Sequence, residues 1–109
     1  MIGSPGDQIV EISWIATPFR AERFLELWGP AAEAALDYGA SAQVLLRSKF
    51  DPAKFLQLAA FPDKISFERY WLSEEIAEIR AELSGCFGLP VLPAWHEISV
   101  AGERVLDPS

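Results

Sequence analysis

The amino-acid sequence predicts an α+β domain in which four strands form one antiparallel sheet and two helical regions cover one face of it. Three observations support this prediction. Two segments alternate between apolar and polar residues, two are short apolar runs joined by a turn, and two others repeat apolar residues at three- and four-residue steps. The 109 residues suffice for one hydrophobic core, so we expect a single domain over residues 1–109.

The first third of the chain contains a strand and a helix. Gln8–Ala16 alternates with the period of two that is typical of a strand. Thr17–Pro18 predicts a helix start, because Thr caps free N–H groups and Pro has no N–H to lose at the first position. Apolar residues then recur to about Tyr38, where Gly39 supplies the left-handed residue that closes a helix. Pro30 predicts a bend or break inside this helix.

The remaining segments are a hairpin, a second helical region and a last strand. Ser41–Phe50 and Lys54–Phe61 are apolar runs joined by a Pro-containing turn, as in a β-hairpin. Asp63–Leu83 carries a rough apolar stripe, and a second capping sequence inside it predicts two helices with a bend near Leu72. Pro93–Ala101 alternates again and is predicted to be the last strand.

The order βαββαβ is that of the ferredoxin-like fold, with a core over about residues 8–101 and a tail at residues 102–109. One face of such a sheet packs on the helices and should be apolar. The alternation assigns to this face Val10, Ile12, Trp14, Val44, Leu46, Ile98 and Val100.

The opposite face is predicted to be mixed and free of helices. A contiguous exposed apolar patch of this kind marks a protein interface, so we expect a homodimer formed through the sheet face; the alternative is a set of solvated charges on an open sheet. One of the two alternations of the third strand belongs to this face, either Phe55, Gln57 and Ala59 or Leu56, Leu58 and Ala60. The other residues assigned to it are Ile9, Glu11, Ser13, Ile15, Gln43, Leu45, Arg47, Trp95, Glu97 and Ser99.

Composition and charge exclude several classes of function. The chain has 9 basic and 16 acidic residues, a net charge of −7, and no Lys/Arg cluster, so it lacks the positive surface that nucleic acids and anionic membranes require. The single Cys86 and the single His96 cannot form an internal disulfide or a zinc site. No apolar run reaches the roughly 20 residues that span a bilayer. Met1–Asp7 lacks the features of a signal peptide, which predicts a cytoplasmic location.

Four sequence elements carry a resemblance to a known family. They are FLELWGPAAEAALDYGA in the first helix, FERYW and SEE in the second helical region, and LPVLPAWHEISV at the last strand. On these elements and the βαββαβ order, residues 8–101 resemble the antibiotic biosynthesis monooxygenase-like family of dimeric α+β barrels. The resemblance implies a dimer formed through the sheets and a cavity between the sheet and helices of each subunit. It also implies an activity without cofactor, in which an activated phenol loses a proton and its carbanion reacts with oxygen.

Five residues are candidates for such a site. His96 is the candidate general base, because imidazole titrates near neutrality and the alternation places it toward the helices; the alternative is a core or pocket-edge histidine bonded to a backbone carbonyl. Trp14, Trp28, Tyr70 and Trp71 are candidate substrate-binding residues, since planar rings suit a flat aromatic ligand; the alternative is that they fill the core. No cofactor or metal is expected. The competing function is a non-enzymatic, dimeric ligand-binding or accessory protein.

Haem degradation, carboxylate catalysis and cysteine chemistry are the other options. Related barrels that degrade haem use a histidine of the second helical region as iron ligand, and Asp63–Leu83 contains none, so this activity is not expected. Glu11 and Glu97 are a candidate acid pair, with a salt bridge to Arg47 as the alternative. Cys86 is either a reactive thiol or, as we favour, a small buried one.

Overall fold

Four strands, three α-helices and one 3₁₀ helix make up the part of the chain that the computed structural model describes, residues 8–88 and 91–104. The first seven residues and most of the predicted tail, residues 105–109, lie outside the described part. The elements are β1 (Gln8–Ile15), α1 (Ala21–Glu33), the 3₁₀ helix (Ala34–Tyr38), β2 (Ala42–Arg47), β3 (Lys54–Phe61), α2 (Lys64–Trp71), α3 (Glu74–Glu82) and β4 (Ala94–Glu97).

The sheet has the strand order β2-β3-β1-β4, and every neighbouring pair is antiparallel. The helices pack on one face of it, where side chains of β1, β3 and α1 form the centre of the core. The predicted α+β class and the ferredoxin-like βαββαβ arrangement are therefore confirmed.

The first helix begins later than predicted and continues past its proline. Thr17 does not cap it, because Thr17 Oγ1 donates instead to the carbonyl of Gly85 at 2.7 Å, and the helix begins after Arg20. Pro30 lies inside α1, and the change to 3₁₀ geometry comes only after Glu33. Of the two outcomes predicted at Pro30, a bend or a break, the break is wrong. Proline removes one backbone hydrogen bond, and α1 tolerates this loss because residues on both sides of it are buried in the core.

The other helix boundaries agree with their capping residues. Gly39, with φ of 100°, follows the 3₁₀ helix in the left-handed conformation. Asp63 and Ser73 precede α2 and α3, and each accepts a hydrogen bond from the backbone N–H three residues later. The bend predicted near Leu72 is confirmed, since α2 ends just before that residue.

The register of the sheet places the side chains of β2 and β4 on the faces opposite to those predicted. Residues opposite each other on antiparallel strands share a face. Gln57 lies opposite Ile12, which faces the helices, and Leu45 lies opposite Gln57. Trp95 likewise lies opposite the buried Val10. The residues that exchange faces relative to the prediction are Gln43, Leu45, Arg47, Trp95 and Glu97, which belong to the helix side, and Val44, Leu46 and His96, which belong to the open side.

Arg47 shows how a charged residue is accommodated on the helix side. Its guanidinium lies 5.2 Å from the centroid of the Phe55 ring and pairs with Glu22 at 2.8 Å. Arg47 therefore does not lie between Glu11 and Glu97, and the predicted salt bridge of Arg47 with these two carboxylates is wrong. Those two carboxylates belong to opposite faces of the sheet, so the predicted acid pair is also wrong.

The last strand is shorter than predicted. It covers Ala94–Glu97 and pairs with β1 over four residues. Ile98 and Val100, which the alternation assigned to the helix-facing side, lie beyond its end, and Val100 is exposed. An edge strand has only one partner, so its length is limited by that pairing.

The open face of the sheet is more apolar than the sequence indicated. The third-strand alternation on this face is the one that contains Leu56 and Leu58. Ile15 is 56% exposed and Leu46 is 44% exposed. Its apolar side chains are Ile9, Ile15, Ala42, Val44, Leu46, Leu56, Leu58, Ala60 and Ala94.

Candidate functional site

A buried polar network lies among the predicted substrate-binding residues, and Gln57 is its centre. The indole N–H groups of Trp14 and Trp28 both donate to Gln57 Oε1, at 3.1 and 2.8 Å. Gln57 Nε2 donates to the Tyr70 hydroxyl at 3.2 Å, and that hydroxyl donates to the Ala31 carbonyl at 2.7 Å. Each of these side-chain polar atoms therefore has a partner, which is the condition for burying a polar group at low cost.

Trp71 completes the aromatic cluster and is the member that reaches solvent. The centroid of its ring lies 6.0 Å from those of Trp14 and Trp28, which are 4.7 Å apart. Trp14, Trp28 and Tyr70 are at most 1% exposed, whereas Trp71 is partly exposed. The structure thus brings the four predicted substrate-binding residues together, three of them inside the core and Trp71 at its margin.

Burial determines the protonation state of Tyr70. It raises the pKa of this phenol to about 12, although the hydrogen bond with Gln57 acts in the opposite direction. The hydroxyl is therefore neutral at ordinary pH. It serves as a donor to the backbone and an acceptor for Gln57, and it is not a base near neutrality.

His96 lies on the open face, not toward the helices as predicted. It is opposite Ile9 in the register, and its Nε2 lies 3.0 Å from Glu11 Oε2. The helix-facing position next to it is taken by Trp95, whose larger apolar surface is the better core residue. The sheet therefore separates His96 from Trp71. Its role as a base stays a prediction, and this position suits only a ligand on the open face.

A depression of about 650 Å³ lies on the open face at the end of the β2–β3 hairpin. Ile15, Leu46 and Leu56 contribute its apolar wall, and Ser13 and Lys54 contribute polar groups. It is continuous with the apolar open face. The aromatic cluster on the other side of the sheet is a separate feature.

Two residues that contact the aromatic rings, Gln57 and Arg80, are not among the candidates that the sequence indicated. Gln57 is the one uncharged polar residue within the run KFLQLAAF, and such an isolated amide in an apolar strand is a feature that marks a buried hydrogen-bonding group. Arg80 lies with its guanidinium carbon 4.3 Å from the centroid of the Trp71 ring, and its Nη2 donates to the Trp71 carbonyl at 2.7 Å. Nothing in the spacing of α3 distinguishes it from a solvated surface arginine.

Within residues 8–88 and 91–104, no three His, Cys, Asp or Glu side chains lie close enough together to hold a metal ion. The helices of this same part of the chain are all too short or too polar to cross a membrane. Cys86 is buried in the loop after α3.

The fold has close counterparts among solved structures. A protein from Nitrosomonas europaea, named as an antibiotic biosynthesis monooxygenase, superposes with a TM-score of 0.77 at 13% identity, covering 89% of this chain and 94% of that one. SnoaB from Streptomyces nogalater, described as a cofactor-independent oxygenase, gives 0.74 at 11% identity, with 88% and 96% covered. A conserved protein from Methanosarcina mazei gives 0.72 at 18% identity, with 84% and 93% covered.

Sequence comparison alone finds no such relationship. No protein-family model matches the chain, and no curated protein matches it. The similarity therefore lies in the element order, the sheet and the helix layer, which match over most of both chains. The resemblance noted in the sequence is confirmed at the level of structure: this chain has the fold of the antibiotic biosynthesis monooxygenase-like proteins.

Proposed function

We propose that the protein is a small-molecule-binding α+β barrel protein that acts as a cofactor-independent monooxygenase on a flat phenolic substrate. The observation that carries this proposal is the aromatic cluster under Trp71, in which a partly exposed indole rests on two buried ones held in place by Gln57. Arg80 lies over the Trp71 ring and Phe67 stacks on it, so the part of this indole that they leave exposed is the surface for contact with a planar ligand. The fold shared with SnoaB supports the same activity.

The proposed reaction converts an activated methylene of an anthrone-type phenol into a carbonyl. The substrate loses a proton to solvent, and the resulting carbanion passes one electron to O₂. The substrate radical and superoxide combine to a peroxide anion, which takes up the proton to give a hydroperoxide; the hydroperoxide then eliminates water. One substrate and one O₂ give one quinone and one H₂O, so no external reductant is required. The protein's part is to bind and orient the planar anion against Trp71.

We further propose that the protein works as a homodimer joined through the open face. Nine apolar side chains lie on that face. Glu11 and His96 pair with each other on it, and Lys54 lies at its hairpin end, opposite Ile15. A continuous apolar surface of this kind is unfavourable in water and is typical of subunit interfaces. The proposed site on the helix side stays accessible in such a dimer.

Turnover of an anthrone-type phenol tests the proposed activity. Under oxygen we expect quinone formation above the uncatalysed rate, followed by absorbance, with water as the co-product. Trp71→Leu should lower kcat/KM by about tenfold or more, since an aromatic ring contact with the substrate is lost. Leu72→Ala, which changes the exposed neighbour, is the matched control and should leave turnover unchanged.

His96→Ala locates the site. If substrate binds on the helix side, this variant retains turnover. A loss of activity in His96→Ala together with full activity in Trp71→Leu would place the chemistry on the open face and contradict the site proposed here. The absence of turnover in the wild-type protein with a range of anthrone-type phenols would reject the oxygenase activity.

A second candidate function is a non-enzymatic ligand-binding or accessory protein. The specific observation in its favour is that Trp14, Trp28 and Tyr70 are at most 1% exposed. Their polar groups form hydrogen bonds within the protein, as those of core residues do. Saturable binding of the phenol, without consumption of oxygen, would support this function over the first.

A further inference from the structure

We propose that a pocket between α3 and the loop after it binds the anionic oxygen of an aromatic ligand, a phenolate or a carboxylate, and that Arg80 recognises this charge. The inference rests on the proposed function only for the aromatic character of the ligand. It assigns a binding residue that the fold and the aromatic cluster do not by themselves indicate.

The pocket has a volume of about 390 Å³. Four of the six residues that line it have small side chains, and these leave the space open. Arg80 and Phe87 are its two large residues, and they provide a cation and an aromatic ring. The lining residues are Ala77, Arg80, Ala81, Ser84, Gly85 and Phe87.

The two large residues of the pocket both contact the aromatic cluster. Phe87 meets Trp14 edge to face, with ring centroids 5.0 Å apart. The Arg80 guanidinium lies against Trp71 at 4.3 Å from the ring centroid. A ligand in the pocket therefore contacts Arg80 and Phe87, each of which contacts a ring of the aromatic cluster that the proposed function uses.

Arg80 has hydrogen-bonding capacity that the described residues leave unused. A guanidinium carries five N–H donors. Nη2 donates to the Trp71 carbonyl, while the buried Nε has no acceptor among the described residues. Within this part of the chain Arg23 and Arg47 pair with glutamates, but Arg80 forms no such ion pair.

The surroundings of Arg80 favour an anion. Partial burial lowers the pKa of the guanidinium, because it removes water from the charged form. A cation that is partly desolvated and lacks a carboxylate gains more from a bound anion than a solvated surface arginine does. The planar guanidinium also fits an oxygen on a planar aromatic ligand.

Binding of a matched pair of ligands tests the inference. Anthracene carboxylate and the uncharged anthracene methanol are titrated against the wild-type protein, with the fluorescence anisotropy of the ligand as readout. We expect the carboxylate to bind about tenfold more tightly or better, the effect of one charged hydrogen bond. Arg80→Gln should remove this preference, whereas Arg69→Gln, at an exposed position on α2, should retain it.

A second variant covers the case in which Arg80→Gln loosens the junction of α2 and α3. Ser84→Glu places a carboxylate in the pocket next to Arg80 while leaving the Trp71 contact in place. It should also remove the preference for the carboxylate, with an unchanged circular dichroism spectrum. Equal binding of the two ligands by wild-type protein, or a preference that persists in Ser84→Glu, would overturn the inference.

Recognition of a phenolate is tested with the anthrone-type phenol itself. Its phenolate absorbance, followed against pH, should show a lower apparent pKa when it is bound to wild-type protein than when it is bound to Ser84→Glu. Charge-selective binding without turnover would leave the inference standing and reject the oxygenase activity. Turnover without any charge selectivity would overturn the inference about Arg80 and support the oxygenase activity.

Discussion

Gln57 is a single amide that satisfies two indole donors and one phenol, and it lies at 1% exposure in the middle of the sheet. Its position opposite Ile12 turns it toward the rings. Because both indole N–H groups share one oxygen, the orientations of Trp14 and Trp28 are fixed relative to each other. The amide thus sets the geometry of the surface on which Trp71 rests.

Replacing Gln57 by leucine should destabilise the protein by about 2 to 4 kcal/mol, since it leaves two buried indole N–H groups without an acceptor. Urea unfolding followed by tryptophan fluorescence measures this change. Gln43→Leu is the matched control, because the Gln43 Oε1 is buried and has no donor among the described residues. That variant should unfold within about 1 kcal/mol of wild type. Equal destabilisation by the two substitutions would contradict the role given to Gln57.

The raised pKa of Tyr70 predicts that the free energy of unfolding decreases in alkali. Its pKa is raised from 10.0 to about 12 in the folded protein, so the folded state holds the phenol proton more tightly than the unfolded state. The associated stability, about 2 to 3 kcal/mol, is complete below the unfolded pKa and is lost as the pH rises through the folded one.

The difference between wild type and Tyr70→Phe isolates this effect, since other groups titrate in both proteins. Unfolding free energies of the two are compared at several values between about pH 9 and about pH 12. The wild-type protein should lose its advantage over the variant across this interval. A difference that does not change with pH would show that Tyr70 does not titrate with a raised pKa.

At the scale of elements, three helix boundaries and the β2–β3 turn were predictable, whereas the start of α1 and the faces of β2 and β4 were not. Gly39, Asp63 and Ser73 end or begin helices through their own local chemistry, which the sequence displays directly. The face of a strand depends on its register with a neighbour, and one strand's alternation does not contain that information. For β2 the more apolar set was assigned to the helices, but it lies on an open face that is itself apolar.

The candidate site residues likewise divide into those that the sequence placed on the correct face and one, His96, that it did not. Trp28, Tyr70 and Trp71 lie on helices that face the sheet, and Trp14 lies on the more apolar of the two alternations of β1, so the four rings come together on the helix side. His96 was misplaced because β4 is short and its alternation fits either face. Partners that depend on long-range packing, such as the shared acceptor of the two indoles, are absent from any local pattern.

At the scale of the whole molecule, the open face predicts a dimer that one charge can disrupt. Leu56 lies on this face opposite Ser13 and Leu46. Leu56→Lys should give a folded monomer, because burying an unpaired ammonium in the interface costs more than a small interface returns. Size-exclusion chromatography with light scattering gives the mass, and circular dichroism checks the fold.

Ile65→Lys is the control for this test, since it adds the same charge at an exposed apolar residue on the helix side. It should remain a dimer. A wild-type protein that is a monomer at micromolar concentration, or a Leu56→Lys variant that dimerises as well as wild type, would contradict the proposed interface.

The strand order also bears on how the chain reaches its folded state. Among the four described strands, only β2 and β3 are neighbours both in sequence and in the sheet, whereas the pairing of Gln8 with Glu97 joins the first of them to the last. Hairpin formation is therefore fast and local, and the two remaining pairings must close long loops first. On the ribosome, β1 has to wait until β4 has emerged before its second edge is paired, and until then that edge is open to other chains.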